Sequence, residues 1–330
     1  MSTSTLVIFS RYPRPGRAKT RLVPALGAEG AAALQRVMTM HCVTVAREFA
    51  GGGDITVDVA YTAARGRRMQ DWLGHDLSYC RQRGGDLGVR MQHAATRAFA
   101  CGARTVVLAG TDCPALGTGT LKRAFEALQA ADIVLGPACD GGYYLIGMRR
   151  SIASSALKAL FTDKDWGTDT VFADTIAAAN HHGLTVAQTE RLPDLDRPED
   201  LPAWEARATT AADAGRVSVI IVARNESANV ARAVDSARDQ SMQSSEVIVV
   251  DGGSTDDTVA RARRAGARVL RSEPPRAAQL NRGARVATGD TLVFLHADTQ
   301  LPENYDCYVR YVCNLPGVSG GSFALGINSD

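Results

Sequence analysis

The first part of the chain alternates short apolar runs with longer stretches of helix-forming residues. The apolar runs predict β-strands at Leu6–Ser10, Ile55–Tyr61, Thr105–Ala109, Ile133–Leu135 and Tyr143–Met148. The stretches between them predict helices at Ala28–Ala50, Met69–Leu73, Gly88–Ala100 and Gly119–Gln129. Strands that alternate with helices in this way are typical of a mainly parallel sheet with both faces covered.

The same alternation begins again at Val217. Strands are predicted at Val217–Ala223, Glu246–Val250, Arg268–Arg271 and Thr291–Leu295. Helices are predicted at Asn229–Gln240, Thr258–Ala265 and Gln279–Ala287. We therefore predict an α/β fold with two Rossmann-like domains, each with a mainly parallel sheet and helices on both faces.

A change in composition separates the two patterns. The segment Pro193–Pro202 is rich in proline and acidic residues, which is typical of the closing segment of a domain. A last helix is predicted at Ala203–Ala214, before Gly215. We place the first domain at residues 1–206, a linker at residues 207–215 and the second domain at residues 216–330.

The overall composition narrows the class of partner. Apolar residues make up 45% of the 330 residues and charged residues 22%, and the formal net charge is only +2. A nucleic-acid-binding protein usually carries a basic tail or stripe, so we expect no nucleic-acid partner. No apolar stretch approaches the roughly 20 residues that span a bilayer, so we expect no integral membrane segment.

Cysteine usage bears on the compartment. The seven cysteines form no CxxC pair, and the apolar run near the N-terminus is too short for a signal peptide. We therefore expect reduced, mostly buried thiols in a cytoplasmic protein. The oligomeric state stays open.

A basic loop follows the first predicted strand. In RYPRPGRAKTRL, Arg11, Arg17, Lys19 and Arg21 place four cations at the carboxyl end of that strand. Ligands of open α/β sheets bind at this edge, and clustered cations suit a diphosphate or triphosphate. The alternative is a solvated basic loop. The loop is not a Walker A motif, because the GxxxxGK[ST] spacing is missing.

Two acidic residues follow later strands of the same sheet. Asp112 lies in GTDCP, after the strand at Thr105–Ala109, and Asp140 lies in ACDGG, after the strand at Ile133–Leu135. Two carboxylates at strand ends suit Mg²⁺ or Mn²⁺, with phosphate oxygens completing the coordination shell. An ordinary Asp-Gly turn is the alternative for Asp140. We predict Asp112 and Asp140 as metal ligands and, together with Lys19, as catalytic residues.

The motifs of the first half resemble a known family. FSRYPRPGRAKTRL, QRGGDLGVRM, VLAGTDCPAL, VLGPACDGGYYLIG, DWGTDTV and LPDLDRPEDL are similar to the DUF2064-type "transferase 1" proteins associated with radical-SAM and selenodomain genes. That family is similar to the 2-phospholactate guanylyltransferases. The resemblance implies that Lys19 and Arg21 hold nucleotide phosphates, that Gln82 and Gly85 lie where the base is recognised, and that Asp112 binds the metal. It leaves open whether a glycosyl or a nucleotidyl group is transferred.

The second half carries polar residues at its own strand ends. Arg224, Asn225 and Glu226 follow the strand at Val217–Ala223, and Asp251 ends the next strand, shortly before Gly253. An acid at a strand end is suited to accept hydrogen bonds from a ribose or a uracil ring. A loop with a helix N-cap is the alternative reading of DGGSTDD. We predict these five residues as nucleotide-binding.

These motifs resemble glycosyltransferase family 2, and more closely its "transferase 2" and arsenosugar-biosynthesis group. The segment from Ala277 to Pro302 matches the AxQxNxGAxxAxGDxLxFLHADTxLP stretch of that group and contains Gln279 and Asn281. The resemblance implies two folds of the GT-A type, nucleotide contacts from Gln279 and Asn281, and a metal carboxylate at Asp298.

The same resemblance predicts that the second domain is truncated at its C-terminal end. Family 2 enzymes continue for about a hundred further residues, which carry the acceptor site and the catalytic base. Three functions follow: a glycosyltransferase with nucleotide-sugar donors and Mg²⁺ or Mn²⁺, a nucleotidyltransferase in the first domain that feeds the second, and a non-catalytic nucleotide-binding protein. The expected partners are a nucleotide or nucleotide sugar and an unknown small-molecule acceptor.

Overall fold

The computed structural model describes residues 4–51, 54–202, 215–239, 241, 245–302, 305–313 and 320–321. These residues fall into two compact units, one up to Leu201 and one from Pro202 onward. The helix predicted at Ala203–Ala214 and most of the predicted linker at residues 207–215 lie outside the described residues. We describe each unit separately.

The first unit is built on a seven-stranded sheet in the order β3-β2-β1-β4-β6-β5-β7. The strands are β1 (Ser4–Arg11), β2 (Ile55–Thr62), β3 (Ser78–Arg81), β4 (Thr105–Gly110), β5 (Ile133–Pro137), β6 (Tyr143–Arg149) and β7 (Val186–Gln188). All neighbours pair in parallel except β6, which runs antiparallel to β4 and β5. The predicted mainly parallel sheet is confirmed.

Helices cover both faces of this sheet. They are α1 (Val23–Ala50), α2 (Gly66–Leu73), α3 (Leu87–Ala100), α4 (Thr118–Ala127), α5 (Ser154–Ala159) and α6 (Val171–His181). Successive residues of a strand point to opposite faces, so Leu6 and Ile8 pack in the cluster under α1, α2 and α4. Val7 packs in the other cluster, under α3, α5 and α6.

Some elements of the first unit were not predicted, and the reasons differ. The strands β3 and β7 are the two edges of the sheet, and their side chains are only partly buried, so neither forms an apolar run. Helix α6 buries Val171, Thr175 and Ala179, a stripe at helical spacing that the sequence did show.

The second unit is built on a four-stranded parallel sheet in the order β10-β9-β8-β11. Its strands are β8 (Val217–Ala223), β9 (Glu246–Asp251), β10 (Arg268–Arg271) and β11 (Thr291–His296). Its helices are α7 (Val230–Asp239), α8 (Thr258–Arg264), α9 (Arg276–Val286) and α10 (Tyr305–Cys313), of which α10 was not predicted. The helices α7 and α8 pack on one face and α9 on the other.

The strand order reverses beside β1 in the first sheet and beside β8 in the second. Along the chain, β1 leads to its neighbour β2 on one side and later to β4 on the other, and β8 lies in the same way between β9 and β11. A crevice opens at the carboxyl ends of the strands at such a reversal, and this is where open α/β sheets bind ligands. Within the described ranges, no helix has the length and apolar character needed to cross a membrane.

Candidate functional site

In the basic loop after β1 the arginines are exposed and the lysine is buried. Arg11, Arg17 and Arg21 are exposed, and Arg11 Nη1 donates a hydrogen bond of 3.0 Å to the Arg17 carbonyl oxygen. Lys19 has a left-handed backbone, with φ 47° and ψ 46°, and its side chain is turned inward. Arg14 is exposed as well, so the loop offers four arginines to an incoming anion, while the side chain of Lys19 is buried.

Lys19 is surrounded by oxygen atoms. Its Nζ lies 2.7 Å from Asp112 Oδ1, 2.5 Å from the Leu195 carbonyl oxygen and 3.6 Å from Asp196 Oδ1. The lysine side chain is only 2% exposed, whereas that of Asp112 is 54% exposed. Burial alone lowers the pKa of Lys19, but the charge and hydrogen bond of Asp112 outweigh it, so the pKa is raised.

The closing segment of the first unit, residues 192–196, lies across the ends of two strands. Leu192 N donates to the Pro137 carbonyl oxygen at 3.0 Å, and Cys139 N donates to the Leu192 carbonyl oxygen at 3.1 Å. At its other end Leu195 N donates to the Asp112 carbonyl oxygen at 2.8 Å. These bonds hold the segment beside Asp112.

Two acidic residues of the closing segment were missed by the sequence analysis. Burial and the nearby charge of Asp140 raise the pKa of Asp194, which is half-buried. Asp196 Oδ2 lies 2.6 Å from Arg21 Nη1, in addition to its contact with Lys19. The sequence shows the acids, but only the chain path through residues 192–196 brings Asp196 to the basic loop and Asp194 within electrostatic reach of Asp140.

Asp140 is exposed on the turn between β5 and β6. Its Oδ1 accepts a hydrogen bond of 2.9 Å from Gly142 N. Gly141 has φ +88°, and a Cβ there would overlap the backbone of Asp169, so a side chain is excluded at this position. The turn is fixed from below by a 3.0 Å bond from Phe172 N to the Gly141 carbonyl oxygen.

The carboxylates of this site fit a divalent cation that brings further ligands with it. Among the described residues, no three His, Cys, Asp or Glu side chains converge as a complete metal cluster. Mg²⁺ is commonly held by one or two carboxylates plus the phosphates of a substrate, and it keeps several waters. The exposed carboxylates of Asp112 and Asp140 match that donor set.

Gln82 and Gly85 lie at the other end of the crevice. Gln82 Nε2 donates to the Ala60 carbonyl oxygen at 2.9 Å and to that of Ser10 at 3.3 Å, so the amide is anchored at the ends of β2 and β1. The Gly85 carbonyl oxygen accepts from Arg90 Nη2 at 2.7 Å. The structure therefore places the predicted base-binding region on the β2 side of the basic loop and Asp112 on the β4 side.

Two thiols lie beneath Asp112, in the core. Burial raises the pKa of Cys42 to about 12 and raises that of Cys113 further, and the charge of Asp112 adds to both shifts. A thiol with a raised pKa is a poor nucleophile at neutral pH. Both cysteines therefore act as core residues.

In the second unit the loop after β8 is tied to the loop after β9. Asn225 has a left-handed backbone with φ 55°, and its Oδ1 accepts from Thr255 N at 2.9 Å. The backbone N–H of Asn225 donates to Ser254 Oγ at 2.9 Å. Glu226 Oε2 accepts from Asn229 Nδ2 at 2.9 Å, and Arg224 is exposed.

Asp251 is the buried acid of this edge. It is 2% exposed, and its carboxylate accepts bonds from Gly253 N at 3.1 Å and Ser254 N at 3.2 Å. Gly253 has φ +86°. The buried amide of Gln279 lies against Gly252, where a Cβ would overlap its Nε2.

The remaining predicted residues of the second unit are exposed. Asn281 lies on α9, and Asp298 lies just beyond β11, where its Oδ1 accepts from Thr299 Oγ1 at 3.2 Å. Because β8 lies between β9 and β11, Asp251 and Asp298 stand on either side of the loop that carries Arg224. The structure thus brings Asp251, Arg224 and Asp298 to the carboxyl edge of the sheet.

Comparisons with known families match both halves of the chain. Residues 45–168 match the family described as "Uncharacterized protein conserved in bacteria (DUF2064)", and residues 218–309 match "Glycosyl transferase family 2". The fusion inferred from the motifs is confirmed.

Solved structures and curated proteins add named relatives. A protein from Desulfovibrio desulfuricans G20, provisionally named a nucleotide-diphospho-sugar transferase, is 33% identical, with a TM-score of 0.53, over 60% of this chain and 84% of its own. Glucosyl-3-phosphoglycerate synthase from Mycobacterium tuberculosis is 37% identical over 117 residues, which are 32% of this chain and 36% of the synthase. The chain thus spans about a third of the length of the curated synthases that it matches.

A crystal structure of that synthase contains Mn²⁺, uridine diphosphate and glucosyl-3-phosphoglycerate. It is 29% identical over 34% of this chain and 44% of its own, with a TM-score of 0.30, an overlap too small for a comparison of geometry. The chain therefore joins a DUF2064 domain to a glycosyl transferase family 2 domain, and it belongs to the family of the Desulfovibrio protein.

Proposed function

We propose that this protein is a glycosyltransferase that uses nucleotide-sugar donors together with Mg²⁺ or Mn²⁺. One observation carries the proposal: the basic loop, Asp112 and Asp140 follow the carboxyl ends of β1, β4 and β5, and Arg21 of that loop pairs with Asp196 of the closing segment. The names of the Desulfovibrio relative and of the mycobacterial synthases support the same substrate class.

In the first unit, Arg11, Arg17 and Arg21 would bind the donor diphosphate through charge-assisted hydrogen bonds. The carboxylates of Asp112 and Asp140 would hold the divalent cation. When bound, such a cation stabilises the negative charge that develops on a leaving diphosphate.

An acceptor hydroxyl also needs a group that takes its proton. Asp194 is half-buried directly before Leu195, whose backbone N–H is bonded to the Asp112 carbonyl oxygen, and burial and the charge of Asp140 raise the pKa of Asp194. A carboxylate with a raised pKa is a stronger base than an ordinary aspartate. We assign this role to Asp194 in the first unit.

In the second unit, Asp251 and the loop of Arg224, Asn225 and Glu226 would receive the nucleoside of a second donor. Gln279, Gly253 and Asn281 line the same edge, and Asp298 would hold its metal ion. The match of residues 218–309 to glycosyl transferase family 2 supports this assignment.

A second candidate for the first unit is nucleotidyl transfer. The density of exposed cations in residues 11–21 favours it, because that loop carries enough positive charge for a triphosphate. In that reaction a phosphorylated acceptor attacks the α-phosphorus of a nucleoside triphosphate, and pyrophosphate leaves. The nucleotide-activated product would then serve the second unit.

A substrate panel tests these proposals. The full chain is incubated with Mn²⁺ and either sugar nucleotides or nucleoside triphosphates, and nucleoside diphosphate and pyrophosphate are assayed separately. Diphosphate release supports glycosyl transfer, and pyrophosphate release supports the second candidate. Donor binding without turnover across the panel would show a non-catalytic nucleotide-binding protein and contradict both.

Matched variants assign the activity to a unit. We expect Asp112→Asn to remove turnover by the first unit, and Asp298→Asn to remove turnover by the second. Glu126→Gln is the control, because Glu126 is exposed on α4 beside Ser4 and Thr105, the first residues of β1 and β4, at the opposite end of the first sheet. Full activity in Asp112→Asn would remove that residue from the site.

A further inference from the structure

Asp112 forms an ion pair with a lysine of the same chain. Lys19 Nζ lies 2.7 Å from its Oδ1, and the lysine side chain is 2% exposed. The ammonium group also donates to the Leu195 carbonyl oxygen and lies 3.6 Å from Asp196 Oδ1, and these contacts hold it in place. Lys19 therefore stays beside Asp112 as a fixed positive charge.

A fixed ammonium changes what Asp112 attracts. A free divalent cation that approaches this carboxylate meets a negative charge that is already neutralised, and it meets repulsion from Lys19 as well. The exposed Arg21, which pairs with Asp196, adds a second positive charge nearby. Asp112 is therefore a weaker ligand for a bare metal ion than an unpaired carboxylate, although its side chain is exposed.

A bound polyphosphate makes the site attractive to a divalent cation. It supplies several negative charges to the arginines of the basic loop, and its oxygens provide the metal ligands that the described side chains do not supply as a complete cluster. A metal ion that arrives with phosphate is attracted to the site, whereas a bare ion is not.

We propose that Lys19 is a built-in counter-ion that makes the Asp112 site accept a divalent cation together with a nucleotide polyphosphate and reject the free ion. The inference rests on the proposed function, since it takes Asp112 as the metal carboxylate. It assigns Lys19 to the control of metal binding from beneath the site, and it leaves the phosphate contacts to the exposed arginines.

Mn²⁺ binding to the full chain tests the proposal without any turnover. Free Mn²⁺ is measured by electron paramagnetic resonance, first with protein alone and then with inorganic pyrophosphate, which presents the diphosphate charge without a base. The ternary complex is followed by water-proton relaxation. We expect the wild type to bind Mn²⁺ at least about tenfold more tightly when pyrophosphate is present.

Lys19→Met, which keeps most of the length of the side chain and removes its charge, should bind Mn²⁺ at least about tenfold more tightly than the wild type in the absence of pyrophosphate. The double variant Lys19→Met with Asp112→Asn should lose that gain, which assigns it to Asp112 and not to the second unit. Lys122→Met is the matched control: it removes an exposed lysine charge on α4, beside Ser4 and Thr105 at the opposite end of the sheet, and it should change free Mn²⁺ affinity less than about threefold.

The outcomes separate the inference from the proposed function. Unchanged or weaker Mn²⁺ binding in folded Lys19→Met, with binding still sensitive to Asp112→Asn, overturns the role of Lys19 alone. Mn²⁺ binding that Asp112→Asn never alters overturns the metal assignment and the inference together. If Lys19→Met does not fold, the wild type decides: tight, Asp112-dependent binding of Mn²⁺ without pyrophosphate overturns the proposal, and weak binding that pyrophosphate strengthens supports it.

Discussion

The backbone amide of Leu195 donates a hydrogen bond of 2.8 Å to the carbonyl oxygen of Asp112. This bond joins residues that are far apart in the sequence and holds the closing segment against the end of β4. As a consequence Asp194 is held half-buried within the electrostatic reach of Asp140, and its pKa is raised by burial and by that charge. The ionised carboxylate of Asp194 therefore lowers the free energy of unfolding.

We predict that Asp194→Asn stabilises the protein at pH 7.5 and lowers its transferase activity at least about tenfold, if Asp194 is the base. A carboxylate whose pKa is higher in the folded than in the unfolded state destabilises the fold once it is ionised. The gain in the free energy of unfolding should therefore disappear as the pH falls to the unfolded value near 3.8. Urea denaturation at several pH values measures it.

Asp196→Asn is the matched control for this prediction. Asp196 pairs with Arg21 at 2.6 Å and faces Lys19, so its removal should lower stability, by about 1 kcal/mol or less because the pair is partly exposed. A lower stability of Asp194→Asn at pH 7.5 would show that its carboxylate is favourable in the fold and contradict our account.

The turn that carries Asp140 should be intolerant of a side chain. Gly141→Ala places a Cβ against the backbone of Asp169 at a positive φ, so we expect a loss of about 3 kcal/mol or more in the free energy of unfolding. Gly183→Ala is the control, because Gly183 also has a positive φ, +66°, but open space around it. That variant should lose only about 1 kcal/mol. Equal losses in urea denaturation would show that strain alone, and not the contact with Asp169, sets the cost.

The frame of the fold was predictable from the sequence because its central strands are buried on both faces. Every residue of β8 is buried, so the strand appears as an unbroken apolar run, and its predicted bounds agree with the structure. The edge strand β3 has the sequence SYCR and is only half-buried, so no local pattern marks it. Its pairing with β2 is a tertiary effect.

The site was predictable in its residue types but not in its contacts. The basic loop and Asp112 are visible as motifs, yet Lys19, in a left-handed backbone conformation, has its side chain buried, whereas the four arginines of the loop are exposed. Nothing in the composition of the loop distinguishes Lys19 from Arg21. The approach of residues 192–196 depends on backbone bonds to Pro137, Cys139 and Asp112, which no local pattern reports.

The buried acid of the second unit gives the last prediction. Asp251→Ala removes the acceptor of the Gly253 and Ser254 amides from a residue that is 2% exposed, so we expect a loss of about 2 kcal/mol in stability and a nucleotide affinity at least about tenfold weaker. Asp257→Ala is the control, because Asp257 is exposed and its side chain makes no capping bond to α8; it should change stability by less than about 0.5 kcal/mol. Urea denaturation and titration with uridine diphosphate measure both. Unaltered nucleotide affinity in Asp251→Ala, with the loss of stability observed, would limit Asp251 to holding the loop and remove it from the donor site.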